Sequence, residues 1–306
     1  DVYQTQHLNV SHTGMMTKIV VFGNSYQSAH AEDLRNFFTE LLRHSDISIA
    51  IDLSYRDYLT EIIPDVIDRA QTIDGFDFMA DLALSIGGDG TFLHTANRVG
   101  DKQIPIMGIN SGHLGYLSAA PLSDYRRIIA DIAGSNYAVE PRVMLSASCD
   151  TCPLQTRPFA LNEAAILRQD TGSMISVDTF VDGFHLATYM GDGLIISTPT
   201  GSTAYNLSVG GPIIAPRASN WVITPVAPHS LNMRPLVVSD DTVIELIPSS
   251  RSNTFALSLD GVTITLPAGA KLRLSKAPFV TNVVLLQNHT FADTLRSKLL
   301  WGVNTQ

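Results

Sequence analysis

The hydrophobic pattern of this chain changes its period near residue 121, and that change constrains the fold more than any other feature. Between residue 17 and about residue 117, short apolar runs alternate with stretches whose apolar residues recur every three or four positions. This alternation is typical of a parallel β-sheet covered by helices. We predict strands at 18–22, 47–53, 82–86 and 104–109, where β-branched and large aliphatic residues dominate.

Helices are predicted between and after these strands. Residues 32–43 carry their apolar side chains on one face at the helical period. Pro64 interrupts the next candidate helix and begins a short new one, because proline is accepted in the first helical turn. Another helix follows Pro121, and the apolar stripe of a last helix, over 291–301, is interpreted as core.

Beyond the helix that follows Pro121, the apolar residues alternate with the period of strands. The runs that show this are 176–181, 242–247, 255–259, 262–266 and 271–274. Asp182-Gly183 and Asp260-Gly261 are two-residue hairpin signals, so this half is predicted to be mostly antiparallel. We therefore expect an α/β domain over 17–120 and a β-rich domain over 121–287, with a ligand cleft between them. Residues 1–16 show no periodicity and are interpreted as a leader segment.

Charge and composition exclude several classes of partner. The formal net charge is −9 and the sequence pI is about 5.4, which argues against a nucleic-acid or anionic membrane surface. No apolar run is long enough to span a bilayer and no secretory signal begins the chain, so we expect a cytoplasmic protein. Cys149 and Cys152 could supply half a zinc site, but no second ligand pair lies at the required spacing, and both are interpreted as ordinary thiols.

The loop Gly87-Gly88-Asp89-Gly90 joins a predicted buried strand to a helix. Glycines at such a junction let backbone N–H groups approach phosphate oxygens at the carboxyl end of a strand. No Gly-Lys-Ser/Thr follows, so this is not a Walker A loop. A tight structural turn explains the loop equally well when it is taken alone.

Two further segments are candidate ligand contacts. The Asn162-Glu163 pair could hold two ribose hydroxyls, with the amide donating and accepting and the carboxylate only accepting; a solvated turn is the alternative. Residues 191–212 run from a strand into a turn rich in hydroxyls and glycines and then into a short helix. Thr203, Tyr205 and Ser208 could contact a nucleotide, and a purely structural role for so many small polar residues would be costly.

Taken in order, these motifs resemble the NAD kinase family. The resemblance extends over residues 18–301 and also includes the segments 110–117, 228–231 and 234–236. The loop at 87–90 together with the run Thr-Pro-Thr-Gly-Ser-Thr-Ala-Tyr at 198–205 is highly specific. The resemblance implies a Rossmann-like parallel sheet in the first domain, and a C-terminal helix, within 288–306, that returns to that domain.

The family transfers the γ-phosphoryl group of ATP, or of polyphosphate in some members, to the adenosine ribose 2′-hydroxyl of NAD, which yields NADP. It uses a divalent metal, for which Mg²⁺ is expected here with unassigned ligands. The resemblance implies that Asp89 is the general base and that Gly87, Gly88 and Gly90 shape the phosphate site. The dinucleotide pocket it implies consists of His94, Asn162, Glu163, Asp192, Thr203, Ala204, Tyr205, Ser208 and Ala227.

Two positions depart from the family pattern, because His94 and Met190 stand where many relatives carry a basic residue. A homodimer or homotetramer with shared sites is expected by resemblance. Two alternatives stay open: a kinase of the same superfamily that acts on a lipid or sugar hydroxyl, and a non-catalytic sensor that binds NAD or NADP. The hydroxyl-rich block argues against an acyl substrate, and the intact Asp89 argues against a sensor.

Overall fold

The computed structural model describes residues 16–25, 30–112, 115–170, 172–286 and 290–302 of the chain. Of the predicted leader segment, all but Met16 lies outside the described residues, as do His113 and Leu114 of the 110–117 segment. The chain forms two compact units. Unit 1 consists of Asp1–Pro141 with Thr281–Gln306, and unit 2 consists of Arg142–Val280.

The elements follow one another along the chain in this order. The first part contains β1 (Thr17–Gly23), α1 (Ala31–Leu41), β2 (Ile47–Asp52), α2 (Leu53–Ile62), α3 (Pro64–Ile67), β3 (Gln71–Ile73), β4 (Leu82–Ile86), α4 (Asp89–Val99), β5 (Ile106–Asn110), β6 (Ala120–Pro121), α5 (Tyr125–Ala133) and β7 (Tyr137–Cys149). The second contains β8 (Phe159–Ala160), β9 (Glu163–Arg168), β10 (Ile175–Val181), β11 (Phe184–Gly191), β12 (Gly193–Ser197), α6 (Tyr205–Ser208), β13 (Asn220–Val226), β14 (Leu236–Ser239), β15 (Ile244–Ser250), β16 (Thr254–Leu259), β17 (Val262–Pro267), β18 (Leu272–Leu286) and α7 (Phe291–Leu299).

The strands β1 to β5 of unit 1 form a parallel sheet in the order β5-β4-β1-β2-β3. Every residue of β4 and β5 is buried, as the continuous apolar runs in the sequence predict. The strand order reverses between β1 and β4. At the carboxyl ends of these two strands, Gly23 lies opposite Ile86. In open parallel sheets, such a reversal opens the crevice in which ligands bind.

Unit 2 is an antiparallel β-structure built from two sheets. One sheet has the order β14-β13-β12-β9-β16-β17, and the other includes β11-β10-β15-β18. Apolar side chains of both sheets, with Trp221 the largest, share one core. Both predicted Asp-Gly hairpins form, with positive φ at Asp182 (50°) and Asp260 (50°) and at the glycines that follow them.

The mixture of a parallel α/β unit and an antiparallel β unit confirms the predicted fold class. The divisions between the units differ from the predicted ones at residues 120 and 287, since residues 121–141 belong to unit 1. The reason is packing, because Ile128, Ile129 and Ile132 of α5 join the same apolar core as α1. Periodicity identifies such a helix but not the surface that it covers.

The final helix belongs to unit 1, yet its apolar residues are not core. Phe291, Leu295 and Leu299 are only half-buried, and beyond the helix Leu300 is 62% and Trp301 59% exposed, so the interpretation of the stripe over 291–301 as core is wrong. Within the part of the chain that the structure describes, no helix is both long and apolar enough to cross a bilayer.

Candidate active site

The glycine-rich loop of unit 1 lies at the carboxyl end of β4, beside the reversal of strand order. Asp89 is the first residue of α4, and Gly88 caps that helix in extended conformation with φ −90° and ψ −170°. The Gly87 N–H donates to the Ile109 carbonyl at 2.8 Å, which ties the loop to β5. The first N–H groups of α4 have no partner within the helix, so this end can bind an anion.

The three glycines of the loop differ in what a side chain would meet. Gly87 has φ +154°, and a Cβ there would collide with the side chain of Thr91. The Thr91 hydroxyl itself accepts a hydrogen bond from Asn24 Nδ2 at 2.8 Å, which links the carboxyl ends of β1 and β4. Gly88 and Gly90 have negative φ, and a Cβ on either would meet nothing within 4 Å. Internal packing therefore explains the glycine at 87 but not those at 88 and 90.

The Asp89 carboxylate is held by a second loop of unit 1. Its Oδ2 accepts the Tyr116 N–H at 2.7 Å, and its Oδ1 accepts the Leu117 N–H at 2.9 Å. A Cβ on Gly115 would collide with this carboxylate, so the loop approaches Asp89 closely because residue 115 is glycine. A carboxylate accepts about four hydrogen bonds, which leaves roughly two acceptor positions for a ligand.

Lys298 of α7 also reaches this loop, and sequence reasoning missed it. Its ammonium donates to the Gly115 carbonyl and lies 5.6 Å from the centre of the Tyr116 ring. Burial lowers the pKa of Lys298, and the nearby charge of Asp89 partly opposes this effect. The contact spans 183 residues, so no local pattern could have revealed it.

His94 stands on α4, five residues after Asp89. Desolvation, followed by repulsion from Arg98, lowers the pKa of His94, so its ring is neutral at pH 7. Arg98, on the same helix, does not supply a phosphate-binding cation in place of His94, since its guanidinium pairs with Asp52 at 2.7 Å and lies over the Phe22 and Phe76 rings.

Buried polar atoms without a partner mark the carboxyl ends of the central strands. Among the described residues, Asn110 Nδ2 at the end of β5 and Ser85 Oγ on β4 are buried and have no hydrogen-bond partner. The other polar atom of the Asn110 side chain, Oδ1, does have a partner, since it accepts the Gly112 N–H at 2.8 Å. An unpaired buried donor costs about 1–3 kcal/mol, so a polar ligand at this edge of the sheet would recover free energy.

In unit 2, Asn162 and Glu163 lie where β9 begins. The backbone N–H groups of Leu161, Asn162 and Glu163 all donate to the Asp260 carboxylate, at 2.6, 2.8 and 3.2 Å. Asp260 was explained from the sequence by its hairpin alone and was not identified as a site residue. The structure corrects this, since the hairpin turn also carries the carboxylate that fixes the Asn162-Glu163 pair.

Burial and charge set the protonation of this pair of acids. Burial, followed by the charge of Asp260, raises the pKa of Glu163 to about 8, although the Tyr205 N–H donates to its carboxylate. Burial also raises the pKa of Asp260 to about 6, against the three N–H donors. With a pKa near 8, Glu163 is mainly protonated at pH 7 and can donate as well as accept, which differs from the expectation that it only accepts. Its buried Oε2 has no partner among the described residues.

The hydroxyl groups of the 198–203 block donate largely to backbone carbonyls, either of their own turn or of Leu161 just before β9. Thr198 donates to the Leu161 carbonyl at 2.5 Å, Ser202 to the Pro199 carbonyl at 2.7 Å, and Thr203 to the Thr200 carbonyl at 3.2 Å. The argument that a structural role would be too costly is therefore wrong, because these bonds satisfy buried groups. Within 203–208, Tyr205 and Ser208 are exposed, while Thr203 and Ala204 are half-buried.

Asp192 and Ala227 meet at the ends of β12 and β13. The Asp192 N–H donates to the Val226 carbonyl at 2.9 Å, and Ala227 has a positive φ of 44°, which is uncommon for a residue with a side chain. The Asp192 carboxylate pairs with Arg168 Nε at 2.8 Å. Arg168 was missed by sequence reasoning, and its pairing with Asp192 places a cation in unit 2.

The described side chains offer no metal cage of their own. Among the described residues, no group of three or more His, Cys, Asp or Glu side chains could hold a metal ion. A Mg²⁺ bound mainly by nucleotide phosphates and water needs only one or two carboxylates, and the single carboxylate of Asp89 fits that mode.

Two family models match most of this chain. The model of the ATP-NAD kinase N-terminal domain matches residues 19–137, and that of the ATP-NAD kinase C-terminal domain matches residues 161–286. An NAD kinase of Bacteroides fragilis is 44% identical over 94% of this chain and 99% of the relative. An NAD kinase of Porphyromonas gingivalis is 41% identical over 94% and 99%.

Solved structures show the same fold at lower identity. Yeast NADH kinase complexed with NADH superposes with a TM-score of 0.84 and 23% identity, over 96% of this chain and 90% of that one. An NAD kinase from Archaeoglobus fulgidus in complex with ATP gives a TM-score of 0.67 and 24% identity, over 90% and 98%.

Proposed function

This chain belongs to the NAD kinase family and phosphorylates NAD, and from that premise we propose that Asp89 is the general base of the reaction. In this proposal the γ-phosphoryl group of ATP passes to the adenosine ribose 2′-hydroxyl of NAD, and NADP is the product. Asp89 takes the hydroxyl proton as the new phosphorus–oxygen bond forms. A positioned general base contributes about 10²–10⁴-fold to such a rate.

The observation that carries the proposal is the setting of Asp89. Asp89 lies at the start of α4, beside the reversal of strand order, and its carboxylate is oriented by the backbone N–H groups of Tyr116 and Leu117. Fixed orientation favours proton transfer, since a base must lie within hydrogen-bond reach of the proton it removes. A carboxylate that only anchored the Gly115–Leu117 loop would not need to stand at the ligand crevice.

The phosphate groups are assigned to the glycine loop of unit 1. Gly88 and Gly90 leave open space above the first N–H groups of α4, and Gly87 shapes the turn. A divalent metal, with Mg²⁺ the expected ion, would supply neutralisation of the phosphate charge when bound with ATP. His94 is neutral at pH 7, so its proposed contribution is a hydrogen bond rather than a charge.

The dinucleotide is assigned to the loops of unit 2. Asn162 and Glu163 hold ribose hydroxyls in this proposal, and the orphan Oε2 of Glu163 supports the assignment because a hydroxyl would satisfy it. The remaining proposed contacts are Asp192, Thr203, Ala204, Tyr205, Ser208 and Ala227. Tyr205 has an additional role, since its backbone N–H donates to Glu163 while its ring is 37% exposed.

The working state of the protein is proposed to be a homodimer or homotetramer in the cytoplasm. Large apolar side chains are exposed on β11, where Phe184 is 79%, Leu186 38% and Met190 48% exposed. Exposed apolar clusters of this kind mark association surfaces. The two free thiols suit a reducing compartment.

The decisive experiment combines a coupled assay with substitution of the proposed base. Purified protein is incubated with ATP, Mg²⁺ and NAD, and NADP is followed through an NADP-specific dehydrogenase. Asp89→Asn is expected to lower kcat by about 10²–10⁴-fold. Folded wild-type protein that makes no NADP would contradict the assigned product, and an Asn variant of full activity would remove Asp89 from the base role.

Because Asp89 also anchors a loop, the assay needs a control for folding. Asp101→Asn makes the same chemical change at an exposed position of unit 1 and is expected to leave kcat unchanged. NAD affinity of Asp89→Asn, measured by calorimetry, separates the two roles of Asp89. Retained affinity with lost kcat supports the base, whereas parallel loss of both points to the anchor. Lipid and sugar acceptors, NADH and polyphosphate are tested in the same format.

A further inference from the structure

The two cysteines of the chain lie against each other at the end of β7. Cys149 is the last residue of that strand, and its Sγ is 2.7 Å from the Sγ of Cys152. Both thiols are free and half-buried, and both pack against the apolar core of unit 2. The Asp150-Thr151 turn between them closes a Cys-x-x-Cys pair, the spacing at which two thiols can form one disulfide.

The two thiols have different environments. Burial raises the pKa of Cys149, but hydrogen bonds from Cys152 and Thr151 outweigh this and lower it overall. The pKa of Cys152 is raised, mainly because that thiol donates to Cys149. The thiolate is the nucleophile in disulfide exchange, and only Cys149 Sγ receives backbone hydrogen bonds, from Thr151 and Cys152, so Cys149 is assigned as the attacking residue.

A metal site fits the same pair less well. Structural zinc needs four ligands, and among the described residues no third His, Cys, Asp or Glu side chain joins the two thiols in a metal-binding group. The proximity of the sulfur atoms is instead what disulfide chemistry requires.

We propose that Cys149 and Cys152 form a redox modification site that a low-molecular-weight disulfide converts reversibly into an intramolecular disulfide. The Cys149 thiolate attacks one sulfur of the small disulfide, which breaks the S–S bond and releases one thiolate. Cys152 then loses its proton and attacks Cys149 Sγ, and the second small thiolate leaves. The two cysteines are oxidised by two electrons, the small disulfide is reduced to two thiols, and a dithiol reverses the sequence.

The test counts free thiols, and it is unambiguous because the chain contains only two cysteines. Native protein is incubated with oxidised glutathione, quenched in acid, labelled with N-ethylmaleimide in denaturant and weighed by intact mass spectrometry. Reduced protein is expected to take two labels, and oxidised protein none, without bound glutathione. Dithiothreitol is expected to restore both labels.

Several outcomes would overturn the proposal. Two labels after oxidation, glutathione retained on either wild-type cysteine, or a disulfide-linked dimer on a non-reducing gel would each exclude an intramolecular disulfide. Thiol counting does not depend on NADP formation, so this result and that of the kinase assay are independent.

Single variants test the assigned order of attack. Cys152→Ser is expected to stop at one stable glutathione adduct on Cys149. Cys149→Ser is expected to react at least about threefold more slowly, because the backbone hydrogen bonds that favour the Cys149 thiolate have no counterpart at Cys152. Equal rates for the two variants, with circular dichroism matching the wild type, would contradict Cys149 as the attacking thiol. If a variant fails to fold, the wild-type thiol count still decides.

Discussion

At the scale of single residues, the candidate site residues of each unit include a carboxylate that is oriented by backbone N–H donors. Each oxygen of Asp89 accepts one backbone N–H, and the carboxylate of Asp260 accepts three. Fixed acceptors of this kind are the usual support of a preorganised site, because a ligand then meets groups that need no rearrangement. The same dependence means that substitutions at these residues act on both stability and ligand contact, so informative variants are those that separate the two.

Gly88→Ala separates stability from phosphate binding in the loop of unit 1. An added Cβ at this position meets no protein atom within 4 Å, so the midpoint of thermal unfolding is expected to change little. If phosphate approaches the backbone here, the methyl group blocks it, and KM for ATP is expected to rise at least about tenfold. Gly87→Ala is the matched comparison, because its φ of +154° and its contact with Thr91 predict destabilisation of about 1–3 kcal/mol. Unchanged ATP kinetics in Gly88→Ala would contradict the assigned phosphate site.

Glu163→Gln tests the protonated state of the buried acid. Its pKa is about 8 in the fold against an ordinary value of 4.5, so between these limits the folded protein holds a proton that the unfolded chain has released. The free energy of unfolding therefore falls as the pH rises, by up to about 1.4 kcal/mol per pH unit. Between about pH 6.5 and pH 8, above the pKa of Asp260 near 6, Glu163→Gln is expected to remove most of this fall.

Urea unfolding at several pH values measures this effect, and Glu61→Gln is the control because that side chain is exposed. Parallel curves for the wild type and Glu163→Gln would show that Glu163 is ionised in the fold. The amide of the variant can still accept the Tyr205 N–H, so misfolding is not expected to obscure the comparison.

At the scale of elements, the carboxyl ends of the strands in unit 1 are joined by side chains from distant helices. Thr91 of α4 binds Asn24 after β1, and Lys298 of α7 binds the Gly115 carbonyl beside the Asp89 anchor. The last helix therefore does more than cover apolar surface. It positions the loop that orients the proposed base.

Lys298→Met is expected to loosen this loop. Loss of a partly buried hydrogen bond from a charged donor predicts destabilisation of about 1–3 kcal/mol. Because Lys298 acts on Asp89 through the loop, kcat is expected to fall while KM for NAD stays within about twofold. Arg296→Met removes a cation from the exposed face of the same helix, where Arg296 pairs with Asp293 at 2.6 Å, and is expected to have little effect. Equal kinetics for the two variants would contradict the positioning role.

At the scale of the whole molecule, the relevant feature is the row of apolar side chains on β11 that are exposed to solvent in the single chain. Sedimentation velocity is expected to report a dimer or a larger assembly, consistent with the proposed homo-oligomer. Leu186→Lys is expected to shift the distribution toward monomer, because an ammonium in an apolar contact must be desolvated. Val262→Lys, at a 52% exposed position on β17, is the matched control. A wild-type monomer across the micromolar range would contradict the proposal.

The sequence alone determined several of the elements and the resemblance to the family, but it did not reveal strands such as β7 and β13. Local rules were sufficient for the strand at 82–86, which forms with the predicted bounds, and for the Asp182-Gly183 and Asp260-Gly261 hairpins. They also placed the Gly-Gly-Asp-Gly loop between a strand and a helix, because glycine chemistry and hydrophobic period act over a few neighbouring residues.

Only the tertiary structure decided which groups meet and how they are charged. Asp260 lies 97 to 99 residues from the N–H groups that it binds, and Lys298 lies 183 residues from Gly115. The raised pKa of Glu163 likewise cannot be read from the sequence, since it depends on burial and on the charge of Asp260, which is distant along the chain. Periodicity and turn chemistry describe a residue's own element, whereas burial and long-range hydrogen bonds arise only when the elements pack.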